Sequence, residues 1–152
     1  MLRISKLADY GTVVMVYLAR QEKVLSNARD IAKSTHLTLP TVSKILKILT
    51  KANVLVSERG VRGGYRLAYP ASQISVADIV FALEQQRGFT ACSLAAGECG
   101  LQPVCPVQGN WRIISQAIEG ALASLSLEAL AQPNMQAPTL VLNVAGVRCG
   151  EK

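Results

Sequence analysis

This sequence is short of the residues that most often do chemistry at neutral pH. Its single histidine is His36, and the half that carries the cysteines has none. No glycine loop of the phosphate-cradling kind stands at a strand–helix junction, and no carboxylate pair is evident for acid–base work. An enzyme is therefore not expected. Long apolar runs are missing as well. The longest, Val13 to Ala19, falls far short of the ~20 residues that cross a bilayer. Asp9 interrupts what would be the apolar stretch of a signal peptide, and no small-residue cleavage site follows it. A cytoplasmic chain with no membrane partner is expected. There is no internal repeat.

What the sequence does have is a core and an uneven charge. Half of its 152 residues are apolar, enough for a domain that needs no disulfide framework. The net charge is +6, and all of that excess lies between Asn27 and Arg66. Arg29, Lys33, Lys44, Lys47, Lys51, Arg59, Arg62 and Arg66 face only Asp30 and Glu58 in that window, while the remainder is balanced. A single basic window fits a polyanionic partner better than a uniformly solvated surface.

The periodicity gives the window a shape. Leu7 to Arg20 reads as a helix with an apolar stripe at Leu7, Tyr10, Val14, Tyr17 and Leu18; Val13 and Val16 extend it to a second side. Such a helix is expected to lie between other elements. Ser26 or Asn27 can cap a second helix with Ala28, Ile31 and Ala32 inside. A third begins at Thr38-Leu39-Pro40, where proline is tolerated because a first-turn N–H has no helical partner. It buries Val42, Ile45, Leu46 and Leu49 and presents Thr41, Ser43, Lys44, Lys47 and Lys51. Two short helices around a tight turn, the second one basic outside, make a helix-turn-helix. Val54-Leu55-Val56 and Tyr65-Arg66-Leu67 then bracket a glycine-rich turn carrying Arg59 and Arg62, which reads as a wing. Double-stranded DNA is the expected partner, with the third helix in the major groove and the wing on phosphates or a minor groove.

The rest of the chain differs in kind. Ser75 and Asp78 resemble a capping box for a helix through Leu83. From Gln108 or Asn110 a longer helix carries Trp111, Ile114, Ile118, Ala121 and Leu125, a stripe suited to a partner subunit's helix. Between them, Cys92-x6-Cys99-x5-Cys105 lies among Gly97, Gly100, Pro103 and Pro106. Soft thiolates favour zinc or an iron–sulfur cluster, 2Fe–2S or 4Fe–4S. The spacing is not the Cys-x2-Cys of common zinc sites, and three thiolates leave one position open, which suits a labile sensing cluster. Free or redox-active thiols are the alternative, and Cys149 reads as a bystander on a loose tail. The organisation expected is a winged helix-turn-helix over residues 1–70, a cysteine loop and dimerisation helix over 71–131, and a tail over 132–152. The fold class is mainly α with a small β-hairpin.

Several segments carry a resemblance: Arg3-Ile-Ser-Lys-Leu-Ala-Asp-Tyr10, Ala28-Arg-Asp-Ile-Ala32, Pro40-Thr-Val-Ser-Lys44, Arg59-Gly-Val-Arg-Gly-Gly-Tyr-Arg-Leu67 and Ile74-Ser-Val-Ala-Asp-Ile79, with three cysteines before Trp111. From Leu2 to about Leu130 the chain resembles the winged-helix iron–sulfur transcription regulators, which include cluster-assembly regulators and a nitric-oxide-sensing repressor. The resemblance implies a homodimer on a pseudo-palindromic operator, with a cluster on Cys92, Cys99 and Cys105. It also implies a fourth ligand. Cluster-assembly regulators use a histidine where this chain has Gln108, a weak ligand, whereas the nitric-oxide sensor uses a first-helix aspartate of the partner, matched here by Asp9. Ser43 stands where some cluster-assembly regulators carry a glutamate that tunes promoter choice in the apo state. Pro40-Thr-Val-Ser-Lys44 and Asp9 are most similar to regulators of the sulfur-mobilization (SUF) assembly operon. A repressor of cluster-assembly genes is the expectation, with Arg29, Thr41, Ser43, Lys44, Lys47, Arg59 and Arg62 on DNA. The alternatives are a nitric-oxide- or thiol-sensing repressor on the same fold and, in another class, an iron–sulfur electron-transfer protein.

Overall fold

Local sequence signals start several of the helices. In the computed structural model, which describes residues 4–21, 24–60, 63–85 and 105–133, Ser5 Oγ accepts from the Ala8 N–H at 3.2 Å and opens α1 (Lys6–Arg20). Asn27 Oδ1 accepts from the N–H groups of Arg29 and Asp30 and opens α2 (Ala28–Thr35). His36, in the left-handed region at φ 56°, ends α2 and turns the chain toward α3 (Leu39–Lys51). Pro40 sits in the first turn of α3, where it breaks no helical hydrogen bond.

The wing follows. β1 (Leu55–Glu58) pairs antiparallel with β2 (Gly64–Leu67), Leu55 opposite Leu67 and Glu58 opposite Gly64. β2 contains the expected triplet Tyr65-Arg66-Leu67 and adds Gly64, whereas β1 starts one residue later than the expected Val54 and runs on to Glu58, because pairing is set by the turn rather than by the apolar run. Gly60, at φ 124°, makes the turn. Ser26 and Tyr65 exchange two main-chain hydrogen bonds, of 3.1 and 2.9 Å, which tie the wing to the start of α2. Gly64 is needed at this junction, since a Cβ would stand 2.8 Å from the Ser26 carbonyl oxygen.

After a 3-10 turn at Ala71–Gln73, the capping box at Ser75 and Asp78 opens α4 (Val76–Glu84) as expected. Then come α5 (Gln108–Ala123) and a short α6 (Leu127–Ala131). The expected long helix therefore stops short of Leu125. Ser124 closes α5, and the Ser126 hydroxyl accepts from the Ala129 N–H to begin α6. Leu125 O instead accepts from the Val76 N–H at 2.8 Å, and the Leu127 N–H donates to Ile74 O at 2.7 Å, so the C-terminal turn is stitched to the front of α4.

α1 is the centre of the packing, against α2, α3, α4 and α6, as its two-sided apolar pattern requires. Val14 and Met15 of α1, Ile31 of α2, Val42, Ile45, Leu46 and Leu49 of α3, Ile79 of α4 and Leu127 of α6 are all inaccessible to solvent. Each such side chain contributes roughly 1.5–3 kcal/mol of burial. Gly11 lets α1 approach α4 closely; a Cβ there would collide with Leu83 Cδ1.

Candidate nucleic-acid interface and cysteine centre

α3 divides cleanly into a buried face and an exposed one. Val42, Ile45, Leu46 and Leu49 are buried, while Ser43, Lys44, Lys47 and Lys51 are exposed. At 100° per residue, Pro40, Lys44, Lys47 and Lys51 fall in one stripe directly opposite the core. Three ammonium groups therefore stand in a row on a rigid helix. Thr41 is half-buried at the edge of this stripe, and its hydroxyl lies 2.8 Å from that of Thr38. Arg29 is exposed in the first turn of α2, and Arg59 is exposed at the wing turn. Arg62 lies outside the described residues.

The two acids of the basic window are both engaged locally. Asp30 Oδ2 accepts from Asn27 Nδ2 at 2.6 Å and supports the α2 cap. Glu58 Oε1 pairs with Arg66 Nε at 3.0 Å across the base of the wing. Arg66 is thus a strand-bracing residue, half-exposed and already compensated. The uncompensated bases of the described reading head are Arg29, Lys33, Lys44, Lys47, Lys51 and Arg59, for which no ion pair forms among the described residues.

Helix-turn-helix, hairpin and exposed basic stripe together form a winged helix. Residues 4–133 match the family model Rrf2, described as an iron-dependent transcriptional regulator. The chain belongs to the Rrf2 family. It is a DNA-binding transcription regulator with a winged-helix fold. It is 33% identical to the HTH-type transcriptional regulator IscR of Photorhabdus laumondii over 99% of this chain and 89% of that protein. It is 30% identical to the HTH-type transcriptional regulator NsrR of Geobacillus kaustophilus, over 86% of this chain and 88% of that protein. The structure of CymR, the global cysteine regulator of Bacillus subtilis, superposes with a TM-score of 0.67 at 26% identity, covering 86% of this chain and 97% of that one. Among the described residues of this Rrf2 protein no helix is long and apolar enough to cross a membrane.

Of the expected cluster ligands, the structure places Cys105 and Asp9. Cys105 is half-buried, three residues before α5. Cys92, Cys99 and Cys149 lie outside the described residues, and so does the side chain of Gln108. Asp9 is exposed in the first turn of α1 and makes no ion pair among the described residues. It borders a groove of about 440 Å³ shared by Thr12, Val13, Ser34, Thr35 and Leu130. Among the described residues no three His, Cys, Asp or Glu side chains gather closely enough to hold a metal.

One link between these regions has no signal in the sequence. Glu84 Oε1 accepts from the Ser5 N–H at 2.8 Å. The end of α4, where the chain leaves for the cysteines, is thereby fastened to the start of α1, one turn before Asp9. The partners are 79 residues apart, beyond the reach of any local motif.

Proposed function

We propose that this Rrf2 regulator is a homodimeric repressor of iron–sulfur cluster-assembly genes that reads a pseudo-palindromic operator and senses cluster supply. The observation that carries the reading is the exposed Lys44–Lys47–Lys51 stripe on a helix whose opposite face is wholly buried, next to a wing with Arg59 at its turn. Thr41, Ser43, Lys44 and Lys47 meet base edges and phosphates. Arg29, Arg59 and Arg62 hold the backbone and set the register. The apolar side chains that α5 leaves exposed, Trp111, Ile113 and Ile114, supply the dimer surface.

The donor set fits an iron–sulfur cluster. Cys92, Cys99 and Cys105 offer three soft thiolates, and Asp9 of the partner subunit offers the fourth, weaker ligand. When bound, a cluster supplies a redox- and oxygen-labile core that is lost when supply falls short. What this chain contributes is the coupling: Cys105 leads directly into α5, and Glu84 ties the end of α4, which precedes the cysteines in sequence, to α1. Loss of ligation would loosen both attachments to the reading heads and derepress the supply genes. The resemblance of Pro40–Lys44 and Asp9 to regulators of the SUF operon supports that target.

A thiol- or nitric-oxide-sensing repressor on the same fold is the second reading, supported by the likeness to a cysteine regulator. Anaerobic DNA binding of cluster-loaded and cluster-free protein, titrated with salt, separates the two. The cluster reading expects occupancy to change operator affinity. Equal affinity with and without cluster, but a change on reversible Cys92–Cys105 oxidation, would favour the thiol switch. Lys44→Ala should weaken binding to all sequences and reduce the slope of log K against log salt by about one; an unchanged slope would remove Lys44 from the phosphate contacts.

A further inference from the structure

We propose that Leu39, supported by Pro40, reads the 5-methyl group of thymine in the major groove, so that the leading turn of α3 selects sequence by apolar contact. The inference rests on the DNA-reading role of α3 and adds a specificity determinant to it.

In a helix-turn-helix the N-terminal residues of the second helix come nearest the base edges. Here that turn is Leu39-Pro40-Thr41, and it carries no charge and no amide. Leu39 is 40% exposed. Pro40 is exposed and heads the same stripe as Lys44, Lys47 and Lys51, so the contacts that draw the lysines to phosphates bring this turn against the groove floor. Thr41 and Thr38 share a hydrogen bond of 2.8 Å between their hydroxyls, which occupies part of their polar capacity locally. The first long donor, Lys44, is more than a turn further along.

The core does not need Leu39. Val42, Ile45, Leu46 and Leu49 already close the inner face of α3 at zero exposure, and Leu39 is left outside that cluster. An exposed leucine alone would mean little, because single apolar side chains are common on surfaces. Its place is what matters: the first turn of a reading helix, beside a proline that leads the basic stripe. A side chain without donor or acceptor has one feature in the major groove to recognise, the C5-methyl that marks thymine.

The test starts from a site selected out of a randomised duplex pool by the full-length protein. Each thymine in that duplex is then replaced singly by uracil, which removes only the methyl, and affinity is measured by fluorescence anisotropy. Wild type should lose about threefold to tenfold at one or two thymines in each half-site. Leu39→Ala should bind the thymine and uracil duplexes alike. Lys44→Ala should bind all of them more weakly yet keep the thymine preference. A scan in which every uracil is neutral, a preferred half-site without thymine, or an undiminished thymine preference in Leu39→Ala would each overturn the proposal. The scan on wild type needs no variant to fold. If selection returns no preferred site at all, base reading by α3 fails, and methyl reading falls with it.

Discussion

α3 and α5 are both amphipathic helices, and they use their apolar residues in opposite ways. In α3, Val42, Ile45, Leu46 and Leu49 are sealed within their own chain, and the stripe opposite them carries Lys44, Lys47 and Lys51. In α5, Trp111, Ile113 and Ile114 are 38%, 47% and 42% exposed, and among its described side chains only Ser115 is buried. One helix is finished by its own fold and offers charge to a polyanion. Among the described residues the other leaves apolar surface uncovered, and in the dimer proposed above a second copy covers it. On that proposal the same periodicity in sequence serves an internal core in one place and an interface in the other.

The largest effect is expected at Leu46. Leu46→Ala empties a site with no solvent contact and should cost about 2–5 kcal/mol, read as a fall in thermal midpoint and loss of DNA binding together. A change below about 1 kcal/mol would mean that α3 is not anchored as described. Ile114→Ser should act differently. In the proposed dimer the residue recurs on both sides of the two-fold interface, so dimer affinity should fall by on the order of 2 kcal/mol while the winged helix keeps its fold. Sedimentation at several concentrations checks this, and unchanged dimerisation would move the interface off this face. Ser75→Ala is expected to have the smallest effect. It removes one half of the capping box of α4 and should cost about 1 kcal/mol, in the range of a lost N-cap, with DNA affinity at low temperature unchanged.

The reading head was legible because its signals are local. Asn27, Thr38-Leu39-Pro40 and Ser75 with Asp78 mark helix starts within a few residues, and the Val42–Leu49 spacing states which face goes inward. The strand limits were less so, since Ser26 bonds to Tyr65 and Glu58 to Arg66 across the turn. The same holds for the close of α5: Ser124 and Ser126 end one helix and begin another because Leu125 and Leu127 are bonded to Val76 and Ile74, some 50 residues earlier. At the candidate centre the residue types were readable but their meeting was not. Cysteines 92, 99 and 105 declare soft ligands by chemistry, while the Glu84–Ser5 bond that fastens the end of α4 to α1 depends on the packed fold. Leu39 was legible only as part of a helix start; its meaning emerged once the core of α3 proved complete without it.

The most direct test is native mass spectrometry, with absorbance, on protein purified without oxygen, comparing wild type, Cys99→Ala and Asp9→Ala. The proposed sensor predicts a dimer carrying iron and sulfide in wild type, a dimer without them in Cys99→Ala, and a cluster that is lost more readily in Asp9→Ala. Wild-type protein that stays free of iron and sulfide after reconstitution would contradict the cluster, leaving a DNA-binding regulator whose cysteines act as thiols.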